Sequence, residues 1–171
     1  MRLKNALFGL IGGAAGTFAI DQAIAGLKKL QPGEDKSLEK RLTPEPPTDV
    51  LAERIVSEDK KALMSQTIHW GYGILWGGVY GMLRKEYPKV ATALGLPFAS
   101  AFTMFGEGLM LPSMGLTAPA YKFPASTLVR DVTAHWAYTA TVEGTCRLLE
   151  TAEQRMSSRQ MRTNPELRRA S

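Results

Sequence analysis

Apolar residues gather into four runs separated by polar punctuation. The runs cover 6–27, 62–83, 90–111 and 128–149, and each has about the 20 residues that a helix needs to cross a bilayer at ~1.5 Å rise per residue. The first run contains a single charge, Asp21, and the third a single charge, Glu107. The fourth is the most polar, with Arg130, Asp131, His135 and Glu143. A polar loop, 28–61, follows the first run and is broken by Pro32, Pro44, Pro46 and Pro47. Within it Thr48 is placed to cap a short amphipathic helix over 49–56, which would lie on the membrane surface or over the mouth of the bundle. A short basic turn, 84–89, and a proline-rich connector, 112–124, make the other links, and Pro97 is expected to kink the third run.

This pattern predicts an all-α integral membrane protein, a four-transmembrane-helix bundle. It forms one domain over 1–149, followed by a basic tail, 150–171, that is disordered or lies on lipid. A cleaved signal peptide would share the basic start and the apolar first run, but Asp21 and the repeat described next argue against it.

The runs also repeat. Thr67-Ile68-His69-Trp70-Gly71-Tyr72 matches Thr133-Ala134-His135-Trp136-Ala137-Tyr138, and these stretches hold the only two histidines of the chain. At the same offset Gly78 matches Gly144, and in the preceding runs Gly9-Leu10 matches Gly95-Leu96, Ala15 matches Ala101, Thr17 matches Thr103, and Asp21 matches Glu107. The unit is a helical hairpin with an acid late in its first helix and a histidine early in its second. Two crossings per unit give both copies the same orientation. Asp21 and His69 then lie at similar depths from the loop side, Asp21 roughly 9 Å in, and Glu107 and His135 repeat the arrangement. Pseudo-symmetry can bring all four side chains together inside the bundle.

Composition refines this picture. Sixteen glycines suit close helix packing in lipid. Gly9 and Gly13 overlap with Gly12 and Gly16, while Gly73, Gly77 and Gly81 form a ridge that His69, Trp76 and Tyr80 flank. Helix packing through these glycines is expected, including association into a homo-oligomer. The lone cysteine, Cys146, excludes an internal disulfide. The five arginines of the tail suit anionic lipid at a cytoplasmic flank; no nucleic-acid partner is needed to explain the net charge of +5. The basic residues near the ends of the runs favour a plasma-membrane protein with both termini in the cytoplasm. Trp70, Tyr72, Trp136 and Tyr138 are read as an interfacial aromatic belt.

Ionisable residues inside hydrocarbon cost at least ~2.5 kcal/mol each, so they face protein or water. Asp21, His69, Glu107, Asp131, His135 and Glu143 therefore make a candidate polar cluster. It has three readings: acid–histidine pairing that fixes the packing, a proton, ion or small-solute pathway, and a metal site with His69 and His135 as ligands. No cofactor other than such an ion is implied. No nucleophile–base arrangement or phosphate loop is present in the sequence, so an enzyme is not favoured. The alternative function is a structural or stress-related membrane protein that acts by packing against partners.

The run Leu111-Pro112-Ser113-Met114-Gly115-Leu116-Thr117-Ala118-Pro119, then Phe123-Pro124, His135-Trp136 and Glu143 with Arg147, resembles the YagU-like bacterial inner-membrane proteins. Glu86-Tyr87-Pro88-Lys89 and Thr67-x-His69 extend the likeness over roughly 6–150; the loop 28–61 and the tail match poorly. The resemblance implies a small multi-pass inner-membrane protein of an uncharacterised family. It carries over no catalytic residue.

Overall fold

The structure, a computed structural model, describes residues 2–163. Helices account for every regular element among them. Three long helices dominate: α1 (Arg2–Leu30), α4 (Glu58–Glu86) and α7 (Ala125–Thr163). Short helices α2 (Gly33–Leu42) and α3 (Pro47–Glu53) occupy the stretch read as a polar loop. α5 (Leu96–Phe105) passes through a π-helical turn, Gly106–Met110, into the single-turn α6 (Leu111–Ser113). Two of these elements, Leu3–Leu30 and Pro88–Ser113, are long and apolar enough to cross a membrane.

Local chemistry explains the boundaries. Pro32 and Pro46 precede α2 and α3, where a residue without a free N–H leaves no intrahelical bond unmade. Pro46, not Thr48, occupies the N-cap of α3, so that helix starts and ends earlier than the 49–56 expected. α4 begins with Glu58 and Asp59 and ends with Arg84 and Lys85, charges that oppose its dipole. Tyr87 adopts φ −126° and ψ 81°, because Pro88 disfavours a helical residue before it.

The third apolar run departs most from expectation. It does not form one helix from 90. Ala93, Leu94 and Gly95 take φ of 47°, 55° and 84°, a left-handed corner that two non-glycine residues occupy at a cost. Trp136 secures the corner by donating Nε1–H to the Ala93 carbonyl at 2.8 Å. Gly95 is needed there twice over, since a Cβ would also meet Thr139 and the Tyr80 hydroxyl at 2.9 Å. Pro97 consequently falls in the first turn of α5 and kinks nothing. The tail also differs: α7 continues as helix past 149 to Thr163, and Lys4 ties it to α1 through Glu153 at 2.7 Å. Arg168 and Arg169 of the expected basic tail lie outside the described residues.

α1 lies between α4 and α7, and α5 packs on α7. On one side of α1, Gly9 and Gly13 meet the backbone of Gly77 and Gly73; on the other, Gly12 and Gly16 receive Val142 and Tyr138. The pairings run in opposite chain directions on both sides, so α1 is antiparallel to α4 and to α7. The glycine ridges are therefore occupied within one chain and are not faces for a homo-oligomer. A Cβ at Gly77 would meet only backbone, including Gly13 N at 2.7 Å, whereas one at Gly71 or Gly144 meets nothing within 4 Å.

This contrast yields a test with identical chemistry at each site. Gly77→Ala should destabilise the fold by at least the ~1–3 kcal/mol typical of overpacking. Gly71→Ala and Gly144→Ala should be neutral or gain up to about 1 kcal/mol from helix propensity. Thermal unfolding of the detergent-solubilised protein, followed by circular dichroism, reads the difference.

Candidate functional site

Both acid–histidine pairs of the repeat form within their own hairpins. His69 Nε2 lies 2.9 Å from Asp21 Oδ1, joining α4 to α1. His135 Nε2 lies 3.9 Å from Glu107 Oε1, joining α7 to the π-helical turn. His135 is further oriented by Nδ1, 2.8 Å from the Asp131 carbonyl. The carbonyl can only accept, so Nδ1 carries a proton and Nε2 is the atom turned to Glu107. One further proton, on Nε2 or on Glu107, makes that contact attractive. Among the described residues Glu107 makes no hydrogen bond; its side chain is 38 % exposed, toward the cavities it lines.

His69, Glu107 and His135 line one cavity of about 400 Å³. Its remaining lining is mainly apolar, from Ile20 and Ile24 of α1 to Leu116 of the connector, and no lysine or arginine reaches it. Tyr72, Trp76 and Phe102 make one wall, with ring centroids 5.0–6.0 Å apart, and Phe102 sits 5.3 Å from the His135 ring. Tyr138 is 3 % exposed and donates to the Gly73 carbonyl at 2.6 Å. Tyr72 and Tyr138 thus belong to the interior and not to an interfacial belt.

Glu107 also lines a second, outer cavity of about 600 Å³, as do Ile24, Pro46 and Leu111. This vestibule is polar, bordered by Lys28, Lys36, Glu39, Arg130 and Asp131. It opens beside α2, at the end of the bundle that carries the short helices. The Glu107 carboxyl stands where the polar vestibule meets the apolar chamber. The π-helical turn that carries it is a rare departure from α geometry, of a kind frequent at functional sites.

Two members of the expected cluster lie elsewhere. Asp131 faces the vestibule and pairs with Arg130 at 2.7 Å. Glu143 is two turns beyond His135, ~12 Å along α7, in a separate network at the opposite end. There it accepts from Arg84 Nε at 2.6 Å and Nη2 at 2.8 Å, from Arg147 Nε at 2.6 Å, and from the Tyr80 hydroxyl at 2.9 Å. Arg84 reaches Glu150 as well, at 2.7 Å. Glu143 is 1 % exposed and Arg84 7 %, so this layer closes the bundle beneath the cavity. Burial favours the neutral form of Glu150, but hydrogen bonds from Lys85 and Arg84 outweigh it and lower its pKa. Among the described residues no three histidine, cysteine or acidic side chains converge as metal ligands.

Sequence reasoning gave no polar role to Arg84 or to Tyr80, although it placed Tyr80 beside the glycine ridge, and none to Gln31 or Glu39. The signal for the first two was present: Tyr80 and Arg84 continue the helical face of Gly73 and Gly77 and therefore point into the bundle. Glu39 gave no such signal, since its partners come from distant chain. It accepts from Arg130 at 2.7 Å, Gln31 at 3.0 Å and Thr127 at 3.1 Å, and so clamps α2 onto the start of α7. Burial acts to raise the Glu39 pKa. Hydrogen bonds from Arg130 and Gln31, together with the Arg130 and Lys28 charges, outweigh burial and hold it below the usual carboxylate value.

Residues 45–144 match the model of a family described as protein of unknown function, DUF1440. No curated protein and no solved structure matches the chain.

Two outcomes are expected from this geometry. Glu143→Leu leaves the buried Arg84 guanidinium with Glu150 as its one acid partner and should cost up to about 3–5 kcal/mol, more than the same change at a solvated acid, read by denaturant unfolding in detergent. The Glu39 clamp has a lowered folded-state pKa, so its stabilisation is present above the usual carboxylate range and is lost as pH falls through the folded value. A spin label at Ser37→Cys, in a Cys146→Ser background, should become mobile between about pH 6 and about pH 3. With Glu39→Gln it should be mobile throughout.

Proposed function

The chain belongs to the DUF1440 family of proteins of unknown function, and on that premise we propose that it is a four-span membrane bundle that admits protons or small solutes from its loop end to the acid–histidine pairs. The spans are taken as 6–27, 62–83, 90–111 and 128–149 within one membrane domain, 1–149, with the remainder a helical, basic extension suited to anionic lipid. Leu3, Leu7, Ile11 and Phe18 form a single stripe along α1 and are each more than half exposed, as are Leu75, Met104, Phe105 and Leu109 on other helices. Apolar exposure on this scale suits lipid, since soluble monomers rarely present contiguous patches beyond a few hundred Å². The likeness to YagU-like proteins supports a bacterial inner membrane, and the basic residues near the ends of the runs support cytoplasmic termini.

The observation that carries the functional reading is the position of Glu107, shared by a polar vestibule and an apolar chamber that ends at His69 and His135. The Arg84–Glu143 layer closes the far side. These features support a pathway open at one end. Passage requires that layer to part, whereas access to the histidines does not.

Proton uptake into liposomes reconstituted with the purified protein, under an imposed membrane potential, tests the proposal. Flux above that of empty liposomes is expected, with Glu107→Gln and His135→Ala each lowering it at least tenfold. No flux in the native protein, or flux indifferent to both substitutions, removes the reading.

A further inference from the structure

The inner chamber combines three features seldom found together. A carboxylate, Glu107, faces it without a hydrogen-bond partner among the described residues. A continuous aromatic wall, Tyr72, Trp76 and Phe102, stands on another side. No lysine or arginine lines it. His69 is directed to Asp21 at 2.9 Å, which matches any charge it carries; His135 is held through Nδ1 by the Asp131 carbonyl at 2.8 Å and turns Nε2 to Glu107 at 3.9 Å. The volume, about 400 Å³, lies within the ~300–1,000 Å³ of small-molecule sites.

Resting on the membrane-cavity reading above, we infer that this chamber binds a lipophilic organic cation, an amine or quaternary ammonium compound with an apolar body, held between the aromatic wall and the Glu107 carboxylate. The physical case is one of complementarity. Aromatic faces present the negative lobe of the ring quadrupole and attract a cation within about 6 Å of the ring centroid, most strongly where water is excluded. In its ionised form, which a bound cation favours, the Glu107 carboxyl adds a charge of the same sign. An anion would meet both as repulsion, and a neutral polar solute would leave the chamber's apolar surface facing a polar group. The wall is assembled before the ligand arrives: the rings pack on one another, and Tyr138 is fixed to Gly73 opposite them by its hydroxyl. Preorganisation of this kind lowers the entropic cost of binding.

Calorimetric titration of the full chain in nanodiscs, against empty nanodiscs, tests this with benzyltrimethylammonium and its neutral carbon isostere neopentylbenzene. The cation should bind at least tenfold more tightly than the isostere. Glu107→Gln should abolish that preference while leaving isostere binding unchanged, which also shows that the variant is folded. Trp76→Leu should weaken the cation more than the isostere. Equal affinity for both compounds in the native protein overturns the cation inference and leaves the cavity reading standing. Binding of neither compound overturns both. A preference that survives Glu107→Gln overturns the assignment of the carboxylate as the charge-selecting group.

Discussion

Gly9 and Gly13 on one side of α1, with Gly12 and Gly16 on the other, let two neighbouring helices reach backbone contact. Contact this close gives dense van der Waals packing between helices without large apolar side chains at the seam. Beyond the glycines, α1 presents Thr17, Ile20 and Ile24 to the chamber.

The two ends are polar in different ways. At the closed end Glu143 has every oxygen engaged by Arg84, Arg147 and Tyr80, and the layer is nearly free of solvent. A satisfied buried network of this sort rigidifies and specifies packing. At the open end Glu107 is left with a single long contact to His135, and the chamber beside it has room for a guest. The acidic residues are alike in type; their different surroundings separate a structural role from a candidate chemical one.

The two halves that the sequence pattern relates agree in chemistry and not in symmetry. Thr17 and Thr103 occupy matching positions, are both buried, and each donate to the carbonyl four residues back at 2.8 Å. Each copy also joins its acid to its own histidine. Yet Gly9 sits within a continuous helix, while the matching Gly95 lies in a left-handed corner. Pro88 and Pro97 bracket that corner and prevent a straight helix across it. The second copy's first helix is consequently short, and its π-helical turn sets Glu107 at 3.9 Å from its histidine, where Asp21 reaches 2.9 Å.

Much of this could be read from the order of residues. Helical class, apolar runs, glycine ridges and the pairing of acids with histidines are all local or periodic properties, governed by the 3.6-residue turn and by the short list of groups that can accompany a charge out of water. Tertiary structure alone decided three things. It showed that the glycine ridges meet inside one chain, because the sequence marks a face as small without saying what covers it. It divided the six ionisable residues into two sites, because depth along a helix separates Glu143 from His135 although both lie in one run. And it joined Glu39 to Arg130 and set Glu107 between two cavities, because those positions depend on where distant segments dock, which no spacing along the chain expresses.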